Sequence, residues 1–251
     1  MGVGINLLAD TLPISRRVEQ PHCPACGAPR TMLQISGLTG LLLGQRNCAY
    51  CDTARKHRSW VIELIAIGIS VLLCLHLPAW NQFLPEAAIL VLYGLITVID
   101  LEHRLILHVV SLPSIVIIAL LRGMNAEIGW AKTLWGGLAG LLILLLFYLV
   151  GDLFTRWMAK RRGKPLDEVV FGFGDVMLGL AIGLDLGWSG VILALFVGIL
   201  AAGIYSLILI IVQLIRGKYS AFMAIPYGPF LIFGAVWFHY GGKALIQAFF
   251  S

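Results

Sequence analysis

The chain has 251 residues, of which 59% are hydrophobic and 12% charged, with a formal net charge of +5 and a mean hydropathy of +0.92. Soluble domains carry about 25% charged residues, and one core of this size cannot hide so much apolar surface from water; a water-soluble globular domain is excluded. The basic residues sit at the ends of apolar runs, as in membrane proteins, so lipid is the expected partner and nucleic acid is not.

In chain order, Met1 to Leu12 is apolar but shorter than the roughly 20 residues a span needs. It also lacks the basic start and small-residue cleavage site of a signal peptide. It reads as the inner end of a first helix or as an interfacial segment. A polar stretch runs from Pro13 to Ser59, followed by apolar segments at 60–78, 84–101, 105–121, 133–154, 172–187, 189–215 and 222–241. Those segments predict seven membrane helices, or about seven to eight with the N-terminal one. With Pro13–Ser59 in the cytoplasm and alternating sides thereafter, 15 of the 18 basic residues fall on the cytoplasmic side, a bias that sets orientation. Gly136 with Gly140, and Gly179 with Gly183, place small residues four apart on a helix face, where two helices can approach closely in lipid. The loop Lys160–Glu168, with Gly163 and Pro165, is expected to be a mobile cytoplasmic segment.

Four of the five cysteines form two Cys-x-x-Cys pairs, Cys23/Cys26 and Cys48/Cys51; Cys74 lies within an apolar run. Each pair can aim two thiolates at one ion, and two pairs complete the tetrahedral site of a zinc ribbon. The insert has few large apolar residues, so bound metal would supply much of its folding energy. Four thiolates leave no open position for water, which predicts a structural zinc rather than a catalytic one. His22 and His57 are read as ordinary polar residues.

Acids near membrane depth are costly and mark candidate sites. Asp100 ends the apolar run 89–99, and Asp175 follows Phe171-Gly172-Phe173-Gly174 and opens another. The charge bias sets both at the cytoplasmic ends of their spans, at one depth. Two carboxylates a few ångström apart share a proton, so one can activate water while the other protonates a leaving group. Gly172 and Gly174 would let an extended substrate backbone approach Asp175. Asp152 is expected to form a surface ion pair with Arg156, and Asp185 to be interfacial. Glu63 is read as pairing with a neighbour, with a part in the chemistry as the alternative, and Glu102, His103 and Arg104 as a solvated loop that could touch substrate. Without further information, intramembrane acids also fit a transporter or channel with acidic ion sites.

Taken in order, Gly4-Ile5-Asn6-Leu7 with Leu12-Pro13, the two cysteine pairs, Ile96 to His103, Gly172-Phe173-Gly174-Asp175 and Ile225-Pro226-Tyr227-Gly228-Pro229-Phe230 resemble the type IV prepilin leader peptidases, GxGD-type intramembrane aspartyl proteases of bacteria. The resemblance implies Asp100 and Asp175 as the catalytic pair. Its substrates are prepilin or pseudopilin precursors, cut after a short basic leader at the cytoplasmic face of the inner membrane. It further implies N-methylation of the new N-terminus with S-adenosylmethionine, whose binding residues no motif here reveals. Three positions depart from the family pattern: Met177 stands where a lysine is usual, and Leu107-His108 where a proline and an acid are frequent. The expected architecture is an all-α polytopic membrane protein. It divides into a partial first helix (1–12), a cytoplasmic zinc-ribbon-like insert (13–59) and a transmembrane peptidase domain (60–251).

Overall fold

The computed structural model describes residues 1–23, 25–30, 35–44, 47–77, 79–126, 128–162, 172–217 and 225–242. Among these residues the chain is all-helical. The helices are α1 (Gly2–Ser15), α2 (Gly37–Leu42), α3 (Arg58–His76), α4 (Trp80–His103), α5 (His108–Gly123), α6 (Gly129–Arg162), α7 (Phe173–Ile215) and α8 (Gly228–Trp237), the last running into a π-helical turn, Phe238–Gly242. No strand forms among them; two isolated bridges join His22 to Pro29 and Asn47 to Ala54. The chain divides into two compact units, Met1–Ile99 and Asp100–Ser251, with the division inside α4.

Four helices, α3, α4, α6 and α7, are long and apolar enough to cross a bilayer, which makes the chain a multi-pass membrane protein. On α6, Leu142, Leu146, Leu149 and Leu153 are all exposed, as on a helix whose outer face meets hydrocarbon. The expected seven to eight spans are resolved more coarsely. The segment predicted at 105–121 forms α5, 16 residues or about 24 Å, short of the roughly 30 Å hydrocarbon layer. In the segment predicted at 222–241, α8 accounts for 10 residues, and 218–224 lie outside the described residues. The segments 172–187 and 189–215 are two helical stretches, labelled together as α7, that part at Gly187, whose φ of 75° and ψ of 174° are not helical. Hydropathy counts apolar residues without regard to where the backbone breaks. The predicted mobile loop lies, from Gly163 onward, outside the described residues.

In the first unit, α1 lies on α3. A Cβ on Gly2 would stand 2.7 Å from the Glu63 backbone, so the missing side chain sets the closeness of approach. Asn6 Nδ2 donates to the Ser59 carbonyl at 2.7 Å and to Glu63 Oε1 at 3.1 Å. Glu63, buried in α3, also accepts from Ser36 Oγ at 2.6 Å and from the backbone N–H groups of Gly37 at 2.7 Å and Leu38 at 2.9 Å. It therefore caps the start of α2 and ties the polar insert to α3. Asp10 of α1 holds both Arg30 and Arg58. Glu63 is paired, as the sequence suggested, but with backbone amides that no periodicity could reveal.

In the second unit the glycine pairs do what their spacing predicts. Gly136 and Gly140 of α6 meet Gly183 and Gly179 of α7 backbone to backbone, in antiparallel order. Beyond Gly187, α7 packs on α8, where Gly198 meets Phe230 and Leu231, and Gly234 meets the Ala194 carbonyl. Without a hydrophobic driving force in lipid, such close approach is a main source of helix association.

Candidate functional site

Asp100 sits near the end of α4. The Arg104 N–H closes the last turn onto the Asp100 carbonyl at 2.8 Å, and Arg104 itself turns into the left-handed region at φ 54°. The carboxylate is 4% exposed and its Oδ2 accepts from the Gly228 N–H at the start of α8, at 2.9 Å. A Cβ on Gly228 would stand 2.8 Å from that same Oδ2; only glycine lets the backbone approach the acid this way. Gly228 follows Ile225-Pro226-Tyr227, and its contact was not legible in the sequence. The one hint was a Gly-Pro pair opening a helix in an apolar run.

Asp175 lies in the first turn of α7. Its Oδ2 accepts from the N–H of Gly172, the N-cap residue, at 3.2 Å, the backward half of a capping box. The helix dipole favours a negative charge at this end. Asp175 is 9% exposed, and it lies within reach of the Asp100 charge and close to Tyr227. Both expected acids are thus buried in one unit, each with Oδ2 bound to a glycine N–H. Among the described residues no protein donor reaches either Oδ1.

The two glycines before Asp175 have different roles. Gly174 is not an opening for substrate: a Cβ there would stand 2.7 Å from the Ile106 Cβ and 3.1 Å from its carbonyl oxygen. The absent side chain is filled by the connection between α4 and α5. Gly172 is exposed, and an added Cβ would meet Asp175 Oδ2 at 3.4 Å and the Gly174 nitrogen at 3.9 Å, both ordinary contacts. Beside them Phe173, 48% exposed, stacks on His108 with centroids 6.2 Å apart and meets Tyr148 edge-on at 6.1 Å. Met177 is half-buried on α7, and Glu102, His103 and Arg104 are exposed.

The remaining acids divide. Asp152 pairs with Arg156 at 2.9 Å on the exposed surface, as expected. Asp185 is 4% exposed and bound to Arg122 at 2.7 Å, a pairing that its position at the end of a predicted span did not announce. A partner 63 positions away leaves no trace in local sequence.

In the first unit the four cysteines converge. Their sulfurs all lie within 4.8 Å of one another, with Cys23 to Cys51 at 3.6 Å and Cys26 to Cys48 at 3.7 Å. A tetrahedral ion with bonds of about 2.3 Å needs sulfur–sulfur edges of about 3.8 Å, so the four could hold such a metal. Both cysteine turns are built alike. The Gly27 N–H returns to the Cys23 carbonyl at 2.8 Å, and the Asp52 N–H to the Cys48 carbonyl at 3.0 Å. Gly27 and Asp52 both adopt positive φ, 70° and 54°, and Asn47 Nδ2 steadies Asp52 at 2.8 Å. The Thr53 hydroxyl and N–H beside Cys51 lower its thiol to about 6, while the neighbouring sulfurs push Cys26 up to about 12, as expected when four thiols crowd together. Neither His22 nor His57 joins the cluster. For S-adenosylmethionine the described residues provide no strand leading into a glycine-rich turn, and none is assigned to hold it.

Fold and site together define a multi-pass helical membrane protein with a buried pair of aspartates and a four-cysteine cluster. A model of the type IV leader peptidase family matches residues 87–207, a stretch that includes both acids. The chain is 30% identical over 229 residues to a prepilin leader peptidase/N-methyltransferase of Burkholderia pseudomallei (strain 1026b), covering 90% of this chain and 69% of that protein. It is 29% identical over 217 residues to the protein of the same name from Aeromonas salmonicida (strain A449), covering 85% and 68%. With the one from Legionella pneumophila the identity is 27% over 232 residues, covering 92% and 75%. No solved structure matches the chain. The chain belongs to the type IV prepilin leader peptidase family.

Proposed function

We propose that this chain is an aspartic endopeptidase that removes the leader from type IV prepilins or pseudopilins at the cytoplasmic face of the bacterial inner membrane, with Asp100 and Asp175 as its catalytic pair. The observation that carries the reading is the burial of both acids within reach of each other, each with Oδ2 occupied by a glycine N–H. Two such carboxylates do not both ionise readily; the pair holds one proton. The ionised acid takes a proton from water as the water oxygen attacks the scissile carbonyl. The protonated acid then gives its proton to the departing amine as the C–N bond breaks. The Gly172 and Gly228 N–H groups hold the two Oδ2 atoms still, which leaves the Oδ1 atoms for the water and the shared proton.

The cysteine cluster supports a structural zinc, bound by Cys23, Cys26, Cys48 and Cys51 in a cytoplasmic insert over 13–59. When bound, the ion would hold the two cysteine turns together. The relatives' names add N-methyl transfer; in this reading the new N-terminus is the acceptor and S-adenosylmethionine the donor, and the same assay reads it. Purified protein is incubated with a leader-bearing prepilin and the products are weighed by mass spectrometry. Cleavage should appear with the parent chain and vanish with Asp100→Asn or Asp175→Asn, each still folded in detergent. Near-normal cleavage by either variant would sink the dyad. Ion flux in proteoliposomes without proteolysis would favour a transporter instead.

A further inference from the structure

The cleavage chemistry makes no use of the buried pair between α5 and α7. The Arg122 guanidinium donates to Asp185 Oδ1 through Nε and Nη2, both at 2.7 Å, and the two residues are 3% and 4% exposed. Charges removed from water to this extent are costly. A buried ion pair is weak ground for stability, and its best-attested role is to specify register.

Register here needs specifying. In the observed packing Gly136 meets Gly183 and Gly140 meets Gly179. Gly187 continues the same stripe and also touches Gly136, while the Leu144 side chain leans over Gly179. Sliding α7 by one turn, about 5.4 Å, would set Gly187 on Gly136 and Gly183 on Gly140, and leave Gly179 to Leu144. Glycine meets glycine in either register, so backbone contact does not choose between them. One-turn ratchets of packed helices are an established mode of structural switching. Arg122 is tied to α6 by the short connection 124–128. It reaches Asp185 at hydrogen-bond distance in the observed register, and a one-turn slide would part them.

We propose that the Arg122–Asp185 pair is the register lock of α7 and thereby a positioning pair for Asp175. Asp175 lies ten residues earlier on the same unbroken segment, about 15 Å along the axis. This inference rests on Asp175 being catalytic, and the test separates the two. Full-length protein in lipid nanodiscs carries spin labels, attached through a ketone-bearing residue at the exposed positions of Arg156 on α6 and Trp188 on α7. The parent should show one distance. The apolar pair Arg122→Met with Asp185→Leu should fold with a Tm near the parent's but show a second distance about 5 Å away. Its kcat should fall about tenfold or more with KM unchanged. A single parental distance with parental kcat in that variant would overturn the lock. Should the apolar pair not fold, Asp185→Glu decides, since it keeps the ion pair and adds one methylene. A lower kcat at parental Tm supports the lock, and a parental kcat overturns it. A parent that cleaves no prepilin would refute the proposed function, while the distances would still report on the register.

Discussion

Asp175 lies at a helix N-terminus, where backbone N–H groups are free, and Asp100, in the last turn of α4, meets the N-terminus of α8; in both cases a glycine supplies the donor. That arrangement makes the glycines as testable as the acids. Gly228→Ala adds a methyl 2.8 Å from Asp100 Oδ2, so the carboxylate must rotate or the start of α8 must move. Cleavage should fall about tenfold or more, since small misplacements of reacting groups are costly, while the protein still extracts and folds. Gly172→Ala is the contrasting case. Its φ of −84° suits any residue and its new contact at 3.4 Å is ordinary, so Tm should not change. A rise in KM in that variant would show that substrate backbone passes over Gly172; unchanged kinetics would show that it does not. The position of the two acids beside apolar runs was legible in the sequence. The roles of Gly228 and Gly174 were not, because both depend on contacts with segments remote in the chain.

At the scale of elements, two helices meet through glycine and one is interrupted by it. The i, i+4 spacing of Gly136/Gly140 and Gly179/Gly183 announced a close helix pair, and the two pairs do face each other. Replacing Gly140 or Gly183 by leucine drives a side chain into the opposing backbone and should cost about 1–3 kcal/mol or more, read as a lower Tm in detergent. Gly203, on α7 with open space around it, is the control: Gly203→Ala should leave Tm unchanged. The end of one predicted span and the start of the next fell beside Gly187, but hydropathy did not show that the helical path resumes directly after it. The segment predicted at 105–121 forms an apolar helix of 16 residues, shorter than its apolar run. An apolar run reports what a segment avoids, namely water, and not how far its helix extends.

Across the whole molecule, charge is concentrated where water is and the rest is left to lipid. The polar insert is the exception that needs its own source of order. It has the Glu63 cap on α2, the Asp10 pairs with Arg30 and Arg58, and the sulfur cluster. Each purified molecule is expected to carry about one zinc on four thiolates, measured by elemental analysis, and Cys23→Ser or Cys51→Ser should remove it. A strong chelator should then expose the segment 13–59 to protease while the membrane helices stay protected. Composition alone determined that the chain lives in a bilayer and is helical, because unpaired backbone cannot be left in hydrocarbon. The spacing of cysteines and glycines determined which residues could converge, since spacing sets which side chains share a turn or a face. What only the tertiary structure decided was pairing at a distance: Gly228 on Asp100, Ile106 in the space left by Gly174, Glu63 on the amides of α2, and Arg122 on Asp185. Each joins groups from separate elements, and the energy that selects such a pair, the cost of leaving a buried donor or charge unmatched, exists only once the helices have packed.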